Sequence, residues 1–585
     1  MAEYRNPQNE PGAPMDTKRM VMVFAFTFIM MMVAQQFLFK NTKPSPSAQE
    51  AAKQQQQQQP TATPNGQAPV ASAPQTSAVP AKQATAETET VVENDVYKIT
   101  FTNRGAQVKS WILKKYKDER GNPLELVHTQ AAAQWGYPLS FWTWDNDLKT
   151  KLNSAMYVAD QTGTVSGPHS ILNFEYSDGD VVVKKSFTFD QSYAIGVNTE
   201  VTRGGAFITA LPAWPAGFGD VTLPATYAQQ RIDYEFGDNL ERLKPDKKGK
   251  EISSGNVIRT PISWGGALDQ YFAAVFLPEK PKEAALVTLR NAIEIPKDAK
   301  KPEGDKQKLE VLGAAVGTLN APVKERIFVG PKAVDVLGAI RANGPEGQPN
   351  AGPDLKGTLD FGMFAIIARP LFAWAKWTQQ HIVSNWGWCI VLLTVIINLV
   401  LLPLRISSMK SMLKMQKVQP QMKAIQDRYK KLKMTDPKRQ DMNVEIGELY
   451  KKHGINPLGG CLPIVIQMPF LFAFYAMLAN VTELRQAGWL WIKDLSSPDP
   501  WFLIPIFVIA TQMILQRMSP SGGMDPQQQK MMNFMMPLMI GVFSWSVASG
   551  LGVYWITGVV VMIIQQMIMN RTELGQEIRR VRSGK

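Results

Sequence analysis

Apolar residues along this chain fall into two regimes. Between residues 91 and about 336 they alternate with polar ones: Tyr97, Ile99 and Phe101; Val181, Val183, Phe187 and Phe189; Tyr193, Ile195 and Val197. A period of two lays one face of a strand on a core, and its recurrence between Gly- and Pro-containing turns predicts a large β-sandwich domain over 91–340. Elsewhere the apolar residues gather in blocks, at 20–39, 388–404, 458–479, 501–515 and 531–569. The last block is 39 residues long. As one helix it would reach about 58 Å, nearly twice the hydrocarbon thickness, so it folds back on itself, with Ser549 and Gly550 the natural hairpin point. The pattern predicts a polytopic α-helical membrane protein of six spans, one N-terminal and five in a core over 386–570.

The first block follows Lys18 and Arg19 and reads as an uncleaved anchor with residues 1–19 inside; a signal peptide is the alternative, although no small-residue cleavage pattern follows it. Residues 40–90, rich in Ala, Pro and Gln with a homopolymer at 54–59, hold too little apolar content to order themselves and read as a flexible linker. Over 341–385 a turn-rich stretch leads into Phe361, Phe364, Ile367, Leu371 and Trp374 at helical spacing. With Trp377, Trp386 and Trp388 nearby, this is an amphipathic helix along the outer membrane surface, or else a core helix of the sandwich.

Charge orients these spans. The 585 residues carry 63 Lys+Arg against 50 Asp+Glu, and the basic residues cluster beside apolar runs, which points to membrane orientation and the bilayer surface rather than to a specific nucleic-acid target. Residues 405–458 hold thirteen basic and five acidic side chains, residues 480–500 two and three, and residues 571–585 five and two. An N-in start with six crossings puts the first and third of these in the cytoplasm and the second outside, as positive charge requires. The basic segment 405–456 reads as an antiparallel helical hairpin, with Asp436 and Pro437 opening its second helix. It either receives a ribosome or nascent chain or is a solvated face near anionic lipid. Cys389 and Cys461 both sit in apolar runs, so no disulfide framework is indicated. The outer domain's His128 and His169 form no metal or nucleophile constellation; a carbohydrate-active enzyme there is the competing possibility.

Several polar residues interrupt the spans. Asn456, Pro457, Gly459, Gly460, Pro463 and Pro469 break an apolar run that also carries Gln467, and such a run needs protein or water on one side. Thr394 and Asn398 lie four residues apart on one helix face, and Gln512 and Asn533 add amides to two more spans. Together they form either a shared wet cavity or a set of separate interhelical hydrogen bonds. The 15 residues of 501–515 reach only about 22 Å, which would thin the bilayer locally. On a continuous helix Arg405 shares the face of Thr394 and Asn398, about 10 Å nearer the cytoplasm, provided Pro403 does not bend the helix. Arg405 is otherwise a positive-inside anchor.

The segments PLRISSMKSMLKMQKVQPQMKAI, ELYKKHGINPLGGCLPIVIQMPFLFAFY and SGLGVYWI followed by MIIQQ resemble the YidC family of membrane-protein insertases, and WGGALDQYFAAVFLP and FVGPKAVDVL resemble its Gram-negative members. The resemblance implies a bacterial inner-membrane protein with both termini in the cytoplasm. It also implies a periplasmic β-supersandwich, a surface helix, and five core spans around a polar groove open to cytoplasm and lipid. The implied activity is insertion of newly made membrane proteins, alone or beside the Sec translocon, without cofactor or covalent step and so not as an enzyme. A secondary transporter or channel is the alternative. Tyr554 and Trp555 match an aromatic pair that contacts substrates in the family, or they only pack. The chain departs from the family at Asn398, where many members carry arginine, at Ala548, where proline is usual, and at Gly558, a frequent asparagine.

Overall fold

The computed structural model describes residues 80–585 apart from 119–120, 167–169, 220–228, 238, 246–251, 297–303, 430–437, 456–461, 519–525, 574, 578–579 and 581–585. The expected anchor at 20–39, the linker up to residue 79, His169, Asp436, Pro437, Cys461 and most of the basic tail therefore lie outside the described residues.

Strands from Glu89 to Pro331 form three sheets. The largest runs from Asn239–Leu243 through Arg231–Phe236, Trp264–Leu268, Phe272–Pro278, Val323–Pro331, Ala194–Arg203, Val181–Phe189 and Ile171–Ser177 to Val158–Ala159. Its register pairs Ile195 with Phe189 and Val197 with Phe187, so the alternating apolar positions of neighbouring strands share one face. A five-stranded sheet supplies Phe101, whose ring lies 4.8 Å from Phe187, and Trp111, 6.0 Å from Trp214 of the third sheet. These contacts bring all three sheets onto one core that includes the fully buried Trp111, Trp214 and Trp264. One inward position breaks the apolar rule. Lys185 is buried in strand Val181–Phe189, its Nζ donating to the Leu139 carbonyl and lying 4.3 Å from the Phe141 ring centroid.

Among the described residues a short helix, Val334–Ala339, and then eight longer ones follow: α1 Ala365–His381, α2 Trp386–Val400, α3 Leu402–Tyr429, α4 Lys438–Lys452, α5 Leu462–Asn480, α6 Leu503–Met518, α7 Pro526–Ser544 and α8 Ser549–Met569. In α1, Ala368, Leu371, Phe372 and Ala375 are buried while Ile366, Trp374 and Trp377 are exposed, an amphipathic division. Among the described residues α8 alone is long and apolar enough to cross a membrane singly; α2 passes only together with α3, across a 52° bend, and the apolar parts of α5, α6 and α7 are shorter. The fold-back expected at Ser549 and Gly550 falls at residues 545–548, between α7 and α8.

The bend changes one expectation. Pro403 has no N–H to continue the helical ladder, and α2 ends at Val400 before α3 begins at Leu402. Arg405 therefore stands on a different helix from Thr394 and Asn398, and the shared face expected of a continuous helix does not extend to it. Helices α3 and α4 lie side by side in opposite directions, since Tyr429 donates to Glu445 at 2.7 Å while Tyr450 donates to the Met422 sulfur at 3.1 Å.

A candidate polar seam along the last helix

Helix α8 carries Tyr554, Gly558, Met562 and Gln565 at spacings of four, four and three residues, which places them on one face. Tyr554 is buried and stacks on Phe474 of α5 with ring centroids 4.3 Å apart. A buried phenol needs a partner, and the Gln467 amide supplies it, donating to the hydroxyl at 2.8 Å. One turn on, a Cβ at Gly558 would lie 3.7 Å from both the Asn398 amide nitrogen and the Thr394 methyl. The absent side chain leaves the two polar residues of α2 facing bare backbone.

Thr394 and Asn398 are both buried and are satisfied within their own helix, the hydroxyl donating to the Ile390 carbonyl at 2.6 Å and the amide to the Thr394 carbonyl at 2.8 Å. Neither side chain thus donates an interhelical hydrogen bond. One and two turns further along α8, Arg405 donates to the Met562 carbonyl at 3.4 Å and to the Gln565 oxygen at 3.2 Å, while the Gln565 amide donates to the Asn398 carbonyl at 3.1 Å. From Tyr554 to Gln565 the polar contacts extend for about 16 Å of helix.

Of the residues singled out in the sequence, Thr394, Asn398, Arg405, Gln467 and Tyr554 meet along this seam. Trp555 is partly buried beside it. Gln512 on α6 and Asn533 on α7 are partly exposed, and among the described residues no hydrogen bond joins them to the others. Pro469 lies inside α5 and Pro463 in its first turn, whereas Asn456, Pro457, Gly459 and Gly460 lie outside the described residues. Gln565 is not among the residues singled out in the sequence, although a signal exists there: two adjacent amides, Gln565 and Gln566, interrupt an otherwise apolar run near its end. Among the described residues no group of three or more His, Cys, Asp or Glu is placed to hold a metal ion.

Residues 377–576 match the family model described as 60Kd inner membrane protein, and residues 89–374 match that of the YidC periplasmic domain. The chain is similar to the membrane protein insertase YidC of Geobacter metallireducens, 32% identical over 572 residues that cover 92% of this chain and 95% of the relative. It is also similar to that of Geobacter sp. strain M21, 31% identical over 83% of this chain and 86% of the relative. A solved structure described as active YidC insertase with the first transmembrane domain resolved is 18% identical and covers 85% of this chain and 95% of its own, with a TM-score of 0.35.

Proposed function

The chain belongs to the YidC family of membrane protein insertases, and we propose that it passes the polar flank of a client across the bilayer along the seam on α8. It is an inner-membrane protein with a periplasmic β-rich domain and a helical membrane region, and its clients are newly made membrane proteins. The reading adds six crossings formed by residues 20–39 and five core spans, with both termini and the hairpin over 405–456 in the cytoplasm. It keeps 91–340 as the periplasmic sandwich, α1 as a helix on the outer membrane surface, and 571–585 as a basic tail.

The observation that carries this reading is the alignment of Tyr554, Gly558 and Gln565 on one face of α8, opposite Gln467, Asn398 and Arg405 in turn. A polar group in hydrocarbon is costly unless it finds a partner or water. A row of such groups at successive turns lowers the desolvation penalty of a hydrophilic flank at each step, while the client's apolar segment partitions sideways into lipid. Gln512 and Asn533 extend the proposed groove onto α6 and α7, and Trp555 contacts the client. The Sec translocon and the ribosome are proposed partners, and the Arg405 guanidinium is the cation that meets acidic flanks.

Reconstitution into liposomes tests this directly. Protease protection of a small single-span client, without nucleotide, is the expected result. Solute flux without client insertion would favour a channel or transporter and overturn the proposal.

A further inference from the structure

We propose that Gln565 is a positioning residue that pins Arg405 to the seam without neutralising it. The inference rests on the reading of Arg405 as the cation that meets acidic client flanks. Gln565 is buried, and its amide works in two directions: its oxygen accepts from Arg405 at 3.2 Å and its nitrogen donates to the Asn398 carbonyl at 3.1 Å. Asn398 lies in the last turn of α2 and Arg405 in the first turn of α3, so one side chain on α8 ties together the two sides of the 52° bend. That carbonyl lies where a helix end leaves acceptors unpaired, and the proline at 403 prevents the ladder from running on.

The chemistry of the clamp decides what Arg405 can do. A carboxylate at residue 565 would hold the guanidinium more strongly, but it would cancel the charge. An amide holds it and leaves the charge standing. Among the described residues no carboxylate lies within ion-pair distance of Arg405, and its bonds to Gln565 and Met562 occupy two of the five guanidinium N–H donors. Three N–H donors remain for a client carboxylate.

The test uses full-length protein in liposomes and two single-span clients that differ only in an acidic or a neutral flank. The readout is the ratio of their protease-protected fractions. Wild type is expected to favour the acidic client about tenfold, as a charge-assisted hydrogen bond of ordinary strength gives. Gln565→Glu, which keeps volume and acceptor, and Gln565→Leu, which frees the guanidinium, should each bring the ratio close to one while the neutral client still inserts. Gln566→Leu, at the neighbouring amide, should leave it unchanged. An equal fall for both clients in both Gln565 variants would make Gln565 a packing residue and overturn the proposal. So would a wild-type ratio in Gln565→Glu and Gln565→Leu when Arg405→Ala lowers it, which leaves the reading of Arg405 standing. A ratio unmoved by Arg405→Ala would remove both.

Discussion

The side-chain amide of Gln270, in the β-rich domain, donates to the carbonyl of Ala479 at the end of α5, 3.0 Å away. Around it Thr482 donates to the Tyr271 carbonyl at 3.1 Å, and Arg485 reaches the Lys117 carbonyl at 3.0 Å while its guanidinium lies 5.9 Å from the Tyr271 ring. Two segments of the domain thus dock on the stretch that leaves a membrane helix. Replacing Thr482 with Val and Arg485 with Ala should together weaken this docking by about 3 kcal/mol, from two lost hydrogen bonds and the lost cation–π contact. Hydrogen exchange should rise at residues 116–118 and 269–272, where two strands end or begin, and stay unchanged in the strand interiors. Unchanged exchange at both segments would mean that the docking is not stabilised by these side chains.

Because the seam on α8 is separate from this docking surface, deleting residues 100–320 should leave insertion largely intact. Growth of a depletion strain carrying the deleted chain reads this out. Complete loss of insertion by a stably expressed variant would contradict it.

Two glycines predict opposite outcomes. A Cβ at Gly558 meets only ordinary contacts at 3.7 Å, so Gly558→Ala should stabilise the protein by up to about 1 kcal/mol through helix propensity. At Gly387 a Cβ would come within 2.2 Å of Trp489, and alanine there should destabilise. Thermal melts of both variants in one detergent decide the matter. A lower melting temperature for Gly558→Ala would show that the seam has less room than its backbone suggests.

Burial pushes the Lys185 ammonium down to about 7 from its ordinary 10.5. Between those values the unfolded chain holds a proton that the folded chain lacks, so stability should rise with pH across that window, by about 1.4 kcal/mol per pH unit for this group. Below 7 both states are protonated and the contribution is flat. Lys185→Met should remove one such increment, leaving that of Lys332, which burial also lowers to about 7. The difference between wild type and variant, followed by denaturation from pH 7 to 10, isolates the effect. A difference independent of pH would mean that Lys185 keeps its proton when buried.

Much of this architecture is legible from residue order. The alternation at Val181, Val183, Phe187 and Phe189 marks a strand, and the apolar blocks mark helices, because each pattern reports a local period. Lys185 shares the inward phase of that strand, yet charge at an inward position reads as a solvent face until the aromatic ring and carbonyl that hold it are known. Pairings such as Gln467 with Tyr554, or Gln565 with Arg405, join residues far apart in the chain. Spacing cannot reveal them. The bend at Leu401 was foreshadowed by Pro403, but proline announces a break without its angle.

Helices α3 and α4 carry exposed basic side chains and are tied to each other by Arg428 with Glu445 and Tyr450 with Met422. Replacing residues 407–453 with a Gly/Ser linker should abolish insertion while the spans remain assembled, since this is the proposed receiving surface for a client. Normal insertion by that variant would reduce the pair to a solvated face.

The central claim is that clients pass along the seam on α8, and photo-crosslinking tests it most directly. A photoreactive side chain at Gly558, between Tyr554 and Gln565, should capture a client stalled during insertion. The same group at Met535, an exposed position on α7, should capture mainly lipid. Client adducts from Met535 and none from Gly558, in a variant that still inserts, would contradict the account.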